Sequence, residues 1–157
     1  MPKKTLNYSE GDCFSVPLSE GGYARGVVAR MDGSGGIFGY FFGPKVEQFK
    51  KLVIDENIFP ENAVLLGQFG DLGFLEKKWE VIGRVSEWSR EKWPMPLFLR
   101  FEEGSSVGYL SQYDENTLKI IGEQEVEIKK IDKKKYPKDS LMGYGFVEKK
   151  IEMILSS

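Results

Sequence analysis

The chain has 157 residues, with 22 lysines and arginines against 24 aspartates and glutamates, and its net charge of −2 supplies no strong basic field for general nucleic-acid binding. Its 41% hydrophobic and 29% charged residues are those of an ordinary globular protein, read as a single domain over 1–157 that buries about two-thirds of its unfolded surface. Histidine is absent, which removes the usual general base near neutral pH, the commonest transition-metal ligand and every Ser-His or Cys-His nucleophile pair.

Residues 1–12 carry no apolar run after their lysines, so no signal peptide is predicted. No run of about 18 apolar residues is present to span a bilayer. Cys13 is the single cysteine and has no intramolecular partner, which fits a cytoplasmic protein in a reducing compartment.

The strongest pattern lies in residues 11–42. Phe14, Val16 and Leu18 alternate with polar neighbours and predict a strand that carries all three on one face. Glu20-Gly21-Gly22 supplies a tight reversal, because glycine tolerates positive φ. Tyr23, Val27 and Val28 then mark a return strand over 23–31. Asp32-Gly33-Ser34-Gly35-Gly36 reads as a second turn. Residues 37–42 are so continuously apolar that they predict a central strand covered on both faces.

Beyond this opening, the spacing predicts a short helix over 44–52, with Pro44 in its first turn and Val46, Phe49 and Val53 on one face. The loop 55–62 contains Pro60 and leads to a strand over 63–69. Residues 70–73 read as a turn, 77–85 as a strand, and 86–92 as a polar loop or one helical turn. Trp93-Pro94-Met95-Pro96 is an extended lead-in to a strand over 97–101, since each proline removes a ladder donor. Further strands are predicted over 107–113, 117–122 and 125–131, with a solvated lysine loop over 133–138. Val147, Ile151, Ile154 and Leu155 predict a terminal helix that docks one face. The class is therefore mainly β (α+β): a curled antiparallel sheet or partly open barrel, with one short internal helix and a C-terminal amphipathic helix packed on it.

Few residues offer chemistry. The glycine-rich 32–36 segment lacks the Lys-Ser/Thr and following helix of a phosphate loop, and the spaced acids of a calcium loop, so it reads as a hairpin turn. Cys13 has no cation beside it in sequence and reads as a strand residue rather than a nucleophile. Asp71, Glu76, Glu80, Glu102, Glu103, Asp114 and Glu115 fall mostly at turns. Gathered at one end of the sheet they would bind a metal, work as acid–base pairs or face a basic partner; taken singly they are solvated turn residues. Trp79 reads as core. Trp88 lies in the polar setting Ser86, Glu87, Ser89, Arg90 and Glu91, which suggests an exposed binding anchor or packing over the sheet edge. Lys129, Lys130 and Lys133 to Lys135 lack interleaved aromatics apart from Tyr136, and read as a charged loop that keeps an edge soluble.

One set of short motifs recurs in order along the chain: Gly11-Asp12-x-Phe14-x-Val16-Pro17-Leu18, Gly22-Tyr23-Ala24-x-Gly26-x-Val28, Gly70-Asp71-Leu72-Gly73, and Trp79 with Gly83. Trp93-Pro94-x-Pro96-x-Phe98-x-Arg100 and Gly143-Tyr144-Gly145-x-Val147-Glu148 complete it. In these positions the chain resembles the immunity protein 26 family, whose members accompany toxins in bacterial polymorphic toxin systems. The resemblance implies a mostly β fold and an immunity protein that neutralises a cognate protein toxin, with a nuclease the usual toxin, by stoichiometric binding and occlusion. No cofactor, metal, membrane or turnover is expected, given the absence of histidine and of a long apolar run. The face expected to meet the toxin comprises Trp88 with Asp71, Glu76, Glu102, Glu103, Asp114 and Glu115. Similar small proteins have also carried a phosphotriesterase label, so the alternative is a small metal-dependent phosphoester hydrolase using carboxylates, although the common route to that chemistry leans on histidine ligands. A nucleic-acid or peptide-binding module is the third reading. Most matching positions are glycine, proline and aromatic, which specify turns and core more than a binding face.

Overall fold

The computed structural model describes residues 6–156; residues 1–5 and 157, which include part of the segment read as lacking a signal peptide, lie outside the described residues. Alternating apolar residues build the opening as expected: β1 (Asp12–Pro17), β2 (Tyr23–Met31) and β3 (Gly36–Val46) form an antiparallel meander. β4 (Leu65–Gly70) pairs antiparallel with β3 and runs into a one-turn helix, α1 (Leu72–Leu75). β5 (Val81–Arg84) returns to pair with β1. β6 (Phe98–Arg100), β7 (Val107–Tyr113) and β8 (Ile120–Glu127) make a second, antiparallel sheet. The chain ends with β9 (Leu141–Met142), parallel to β4, and α2 (Tyr144–Leu155). The larger sheet has the order β5-β1-β2-β3-β4-β9 and does not close on itself.

Alternation along the central strands divides the core in two. Phe14, Val16, Val28, Ile37 and Phe41 face one side, where they pack with Trp79 and with Val147 and Ile151 of α2. Cys13, Val27, Phe38, Tyr40 and Phe42 face the other, where they pack with Ile58, Trp93 and Phe98. The apolar run over 37–42 is thus covered on both faces, as its composition predicts. Gly26 lets this happen, because a Cβ there would stand 2.3 Å from the ring of Phe14.

A register shift between Val28 and Arg30 interrupts the β2–β3 ladder. Such a bulge re-aims side chains, and Arg30 is left 1% exposed with its guanidinium donating to the carbonyl of Trp93 at 3.1 Å and to the Glu115 carboxylate at 2.6 and 2.9 Å. This one side chain ties the turn between β7 and β8 to the larger sheet.

Several boundaries depart from the sequence reading. No helix forms over 44–52: Val46 continues the ladder opposite Tyr23, and only Phe49–Lys51 make a 3-10 turn. With Val46 held in the strand, Phe49 and Val53 have no shared face to bury and remain exposed. The short internal helix is instead α1, which begins within the expected 70–73 turn and runs on to Leu75, with the N–H groups of Phe74 and Leu75 donating to the Asp71 carbonyl. The strand expected over 77–85 begins only at Val81, because Lys77 has a left-handed backbone at φ 60° and the N–H groups of Lys78 and Trp79 turn back to the Gly73 carbonyl. The strands expected over 117–122 and 125–131 form one strand, β8, which begins only at Ile120 and gives way at Ile128–Lys130 to a 3-10 turn. In α2, Val147 and Ile151 are buried as predicted, while Ile154 and Leu155 are half-buried. No helix among the described residues is long and apolar enough to cross a membrane.

Candidate functional site

The acidic residues singled out from sequence do not gather in one place. Asp71 is buried and accepts a 2.8 Å hydrogen bond from the Tyr8 hydroxyl, which burial and that carboxylate together hold protonated. Glu76 accepts from the Tyr144 hydroxyl at 2.7 Å and lies 3.5 Å from Lys78. Glu80 is exposed beside β5, and Glu102 and Glu103 are exposed between β6 and β7. Asp114 accepts from the backbone N–H groups of Asn116 and Thr117, which lower its pKa. Glu115 is engaged by Arg30. Among the described residues no group of three or more Cys, Asp or Glu side chains is placed to hold a metal ion.

Trp88 is half-buried rather than exposed, with its ring tilted against Trp93 at 5.6 Å. Cys13 is fully buried, and burial pushes its thiol up to about 12 against the opposing pull of Arg25. It should stay inert to a thiol-specific colorimetric reagent in the native protein and react at once in denaturant; a free-thiol rate in the native state would contradict this placement.

Trp93 leads to a groove of about 650 Å³ between the 54–61 loop and the segment after β5. Its floor is apolar, formed by Ile54, Ile58, Val85 and Trp93. Its rim is acidic, with Asp55, Glu56, Glu61 and Glu87, and Lys92 is the only basic residue that lines it among the described residues. Phe59 stands on the rim, 54% exposed between Glu56 and Glu61.

Both walls are fixed. Arg25, buried on β2, donates to the Val53 carbonyl at 2.8 Å, the Asp55 carboxylate at 3.1 Å and the Gly43 carbonyl at 2.6 Å. Pro60–Asn62 form a 3-10 turn that closes the loop. On the opposite wall the Val85 N–H donates to the Gly11 carbonyl at 2.9 Å, and Arg90 makes two bonds, of 2.6 and 3.0 Å, to the Glu10 carboxylate. Glu87 is held with a left-handed backbone at φ 53°, between these anchors.

Burial alone would raise the Asp55 carboxyl, but the Asn57 N–H and the Arg25 guanidinium outweigh it and hold the group below its ordinary value. A lowered folded-state pKa contributes stability above the ordinary carboxylate range that is lost as pH falls through the folded value. The melting temperature of Asp55→Asn should therefore lie below that of the unaltered chain at neutral pH, with the gap closing as pH drops below about 4. A gap that stays constant with pH would show that the ion pair contributes nothing.

Asp55, Glu56, Phe59, Glu61 and Glu87 were not legible as a site from sequence. A signal was present, since Ile58-Phe59-Pro60 places two large apolar residues inside an acidic loop. What the loop faces is decided by the pairing of β1 with β5, which brings the 85–93 segment alongside it.

A preformed apolar floor ringed by charge is a surface with which small β domains bind other proteins. The chain belongs to the immunity protein 26 family: the family model, Immunity protein 26, matches residues 9–108, a span that contains both walls of the groove. Membership makes it an immunity protein of a toxin system. No curated protein and no solved structure gives a significant match.

Proposed function

We propose that this chain acts in the cytoplasm, binding a cognate protein toxin one to one and occluding its active site or substrate groove. The observation that carries the reading is the acid-rimmed groove with Phe59 at its edge, on a chain of an immunity family. A nuclease fits as the toxin, because a nucleic-acid-binding surface is basic and the rim carboxylates would steer it in and select against wrong partners. Phe59 would supply a desolvated apolar anchor. Trp88 would act by backing Trp93, and the exposed Glu76, Glu102 and Glu103 would add only to the long-range field; Asp71, Asp114 and Glu115 already serve internal bonds. Binding, not turnover, is the mode of action on this reading.

The test is affinity capture with the tagged chain from its native host, followed by titration of the captured protein. Co-elution of a toxin-domain protein at equal stoichiometry, with loss of its toxic activity in the complex, supports the proposal. A captured toxin that stays fully active when saturated, or a host extract that contains the toxin but yields none on the bait, overturns it.

A further inference from the structure

A second concavity of about 410 Å³, of opposite sign to the acidic groove and sharing no lining residue with it, lies along β4, β9 and α2. Leu65 and Leu66 of β4, Met142 of β9 and Phe146 of α2 contribute apolar surface, and Lys134, Lys135, Lys138 and Lys150 ring it. No acidic side chain among the described residues lines this groove. Among the described residues none of its four lysines forms an ion pair, whereas Lys45, Lys78, Lys92 and Lys130 each lie within 4 Å of a carboxylate. Leu141 beside it is 74% exposed and Phe146 is 56% exposed, more than isolated core-type side chains need to be.

The lysines are carried on backbone that is already fixed. The Leu99 N–H donates to the Pro137 carbonyl at 2.9 Å, and the Asp139 N–H returns to the Leu99 carbonyl at 2.9 Å. The Asp139 carboxylate accepts from the Ser111 hydroxyl at 2.7 Å and from the Tyr113 hydroxyl. The Asp132 side chain caps the 3-10 turn Lys133–Lys135 through the Lys134 N–H at 3.1 Å. Docking of Val147 and Ile151 into the core leaves Phe146 and Lys150, four positions apart, toward the groove. An occupant would therefore meet little ordering cost on the protein side.

We propose that this basic groove is a second docking surface, and that it takes an acidic segment of a protein partner bearing an apolar anchor residue. Four uncompensated lysines repel one another until a carboxylate-rich occupant arrives, and the recessed aliphatic floor asks for a side chain inserted between those carboxylates. Tyr136 and Phe146 are the rings among the lining residues, and nucleic acid is disfavoured because the chain's net charge of −2 supplies no basic field beyond the groove. A lipid surface is disfavoured because the apolar floor is concave. The proposal goes beyond the toxin reading and does not depend on it, since the two grooves differ in sign and in lining.

The probe is a fluorescein-labelled decapeptide of Glu and Asp with a central Leu-Phe pair, titrated by anisotropy against the full chain. Saturable one-to-one binding is expected, weakened about tenfold or more by Lys138→Glu with Lys150→Glu and changed less than about twofold by Lys119→Glu, a reversal of the same kind at an exposed lysine outside the groove. A peptide with Ser-Ser in place of Leu-Phe should also bind about tenfold more weakly. Should the double reversal lower the melting temperature, Lys138→Gln alone provides the same comparison in a milder form. Absence of binding, equal binding of the Ser-Ser peptide, or tighter binding of single-stranded DNA or of phosphatidylserine-containing vesicles would each overturn the proposal.

Discussion

Replacing Trp79 by alanine should remove about 4 kcal/mol of folding stability, the largest effect expected of any single core substitution in this chain. The side chain is 1% exposed. Its ring stacks on Phe14 at 5.4 Å with the planes 12° apart, and meets Phe41, Phe69, Phe74 and Tyr144 edge-on or tilted. These neighbours come from β1, β3, β4, α1 and α2, so a cavity at Trp79 is felt by five elements on that face. Collapse into it is resisted because the surrounding rings are held by the sheet. Domains of this size have a net stability of about 5–15 kcal/mol, so the loss is about a quarter or more of the whole. Trp79→Phe should cost about half as much, since it keeps most of the ring contacts and gives up the 2.9 Å bond from the indole N–H to Glu148. Denaturant unfolding of both variants checks this. A loss below about 1 kcal/mol for the alanine variant would mean that the face is not built around Trp79.

Trp79, Phe14, Val16 and the 37–42 run were legible because their signal is local: alternation and composition within a strand determine which face each residue takes. The motifs that suggested the family are of the same kind, turn and core residues that specify a scaffold. The errors have the opposite origin. Val46 reads as helical beside Phe49 and Val53 until Tyr23 pairs with it, and nothing within 44–52 announces that partner. The acidic residues were chosen for lying at turns, yet whether a carboxylate is free is decided far along the chain. Glu115 is taken by Arg30, 85 positions away, and Glu76 by Tyr144, 68 positions away. Arg30 itself reaches Glu115 through a strand bulge that no composition pattern reveals. The groove escaped for the same reason, since its two walls meet only when β5 pairs with β1. Trp88 was the nearest sequence reading came, one ring behind the floor.

Reversing the rim charges should separate the groove from every other acidic surface of the molecule. In the triple variant Glu56→Lys, Glu61→Lys, Glu87→Lys, affinity for the captured toxin should fall by at least about a hundredfold, with most of the loss in the association rate and a flattened dependence on salt. The reasoning is electrostatic. Glu56, Glu61 and Glu87 are exposed around one concavity, and among the described residues only Glu87 has an ion-pair partner, Lys92 at 3.7 Å. Removing three such charges lowers the attraction; reversing them sets like charge against a basic partner, which costs several kcal/mol at contact. Stability should hold within about 0.5 kcal/mol, because none of the three side chains is buried. Phe59→Ala should act differently, accelerating dissociation by about thirtyfold while leaving the association rate and salt dependence in place, as expected for an apolar anchor worth about 2 kcal/mol. Glu102→Lys with Glu103→Lys serves as the contrast: these residues are equally exposed but lie between β6 and β7, and should change affinity less than threefold. The opposite ranking, with the β6–β7 reversal damaging and the rim reversal silent, would move the toxin-binding face to the small sheet and leave the acidic groove without a role.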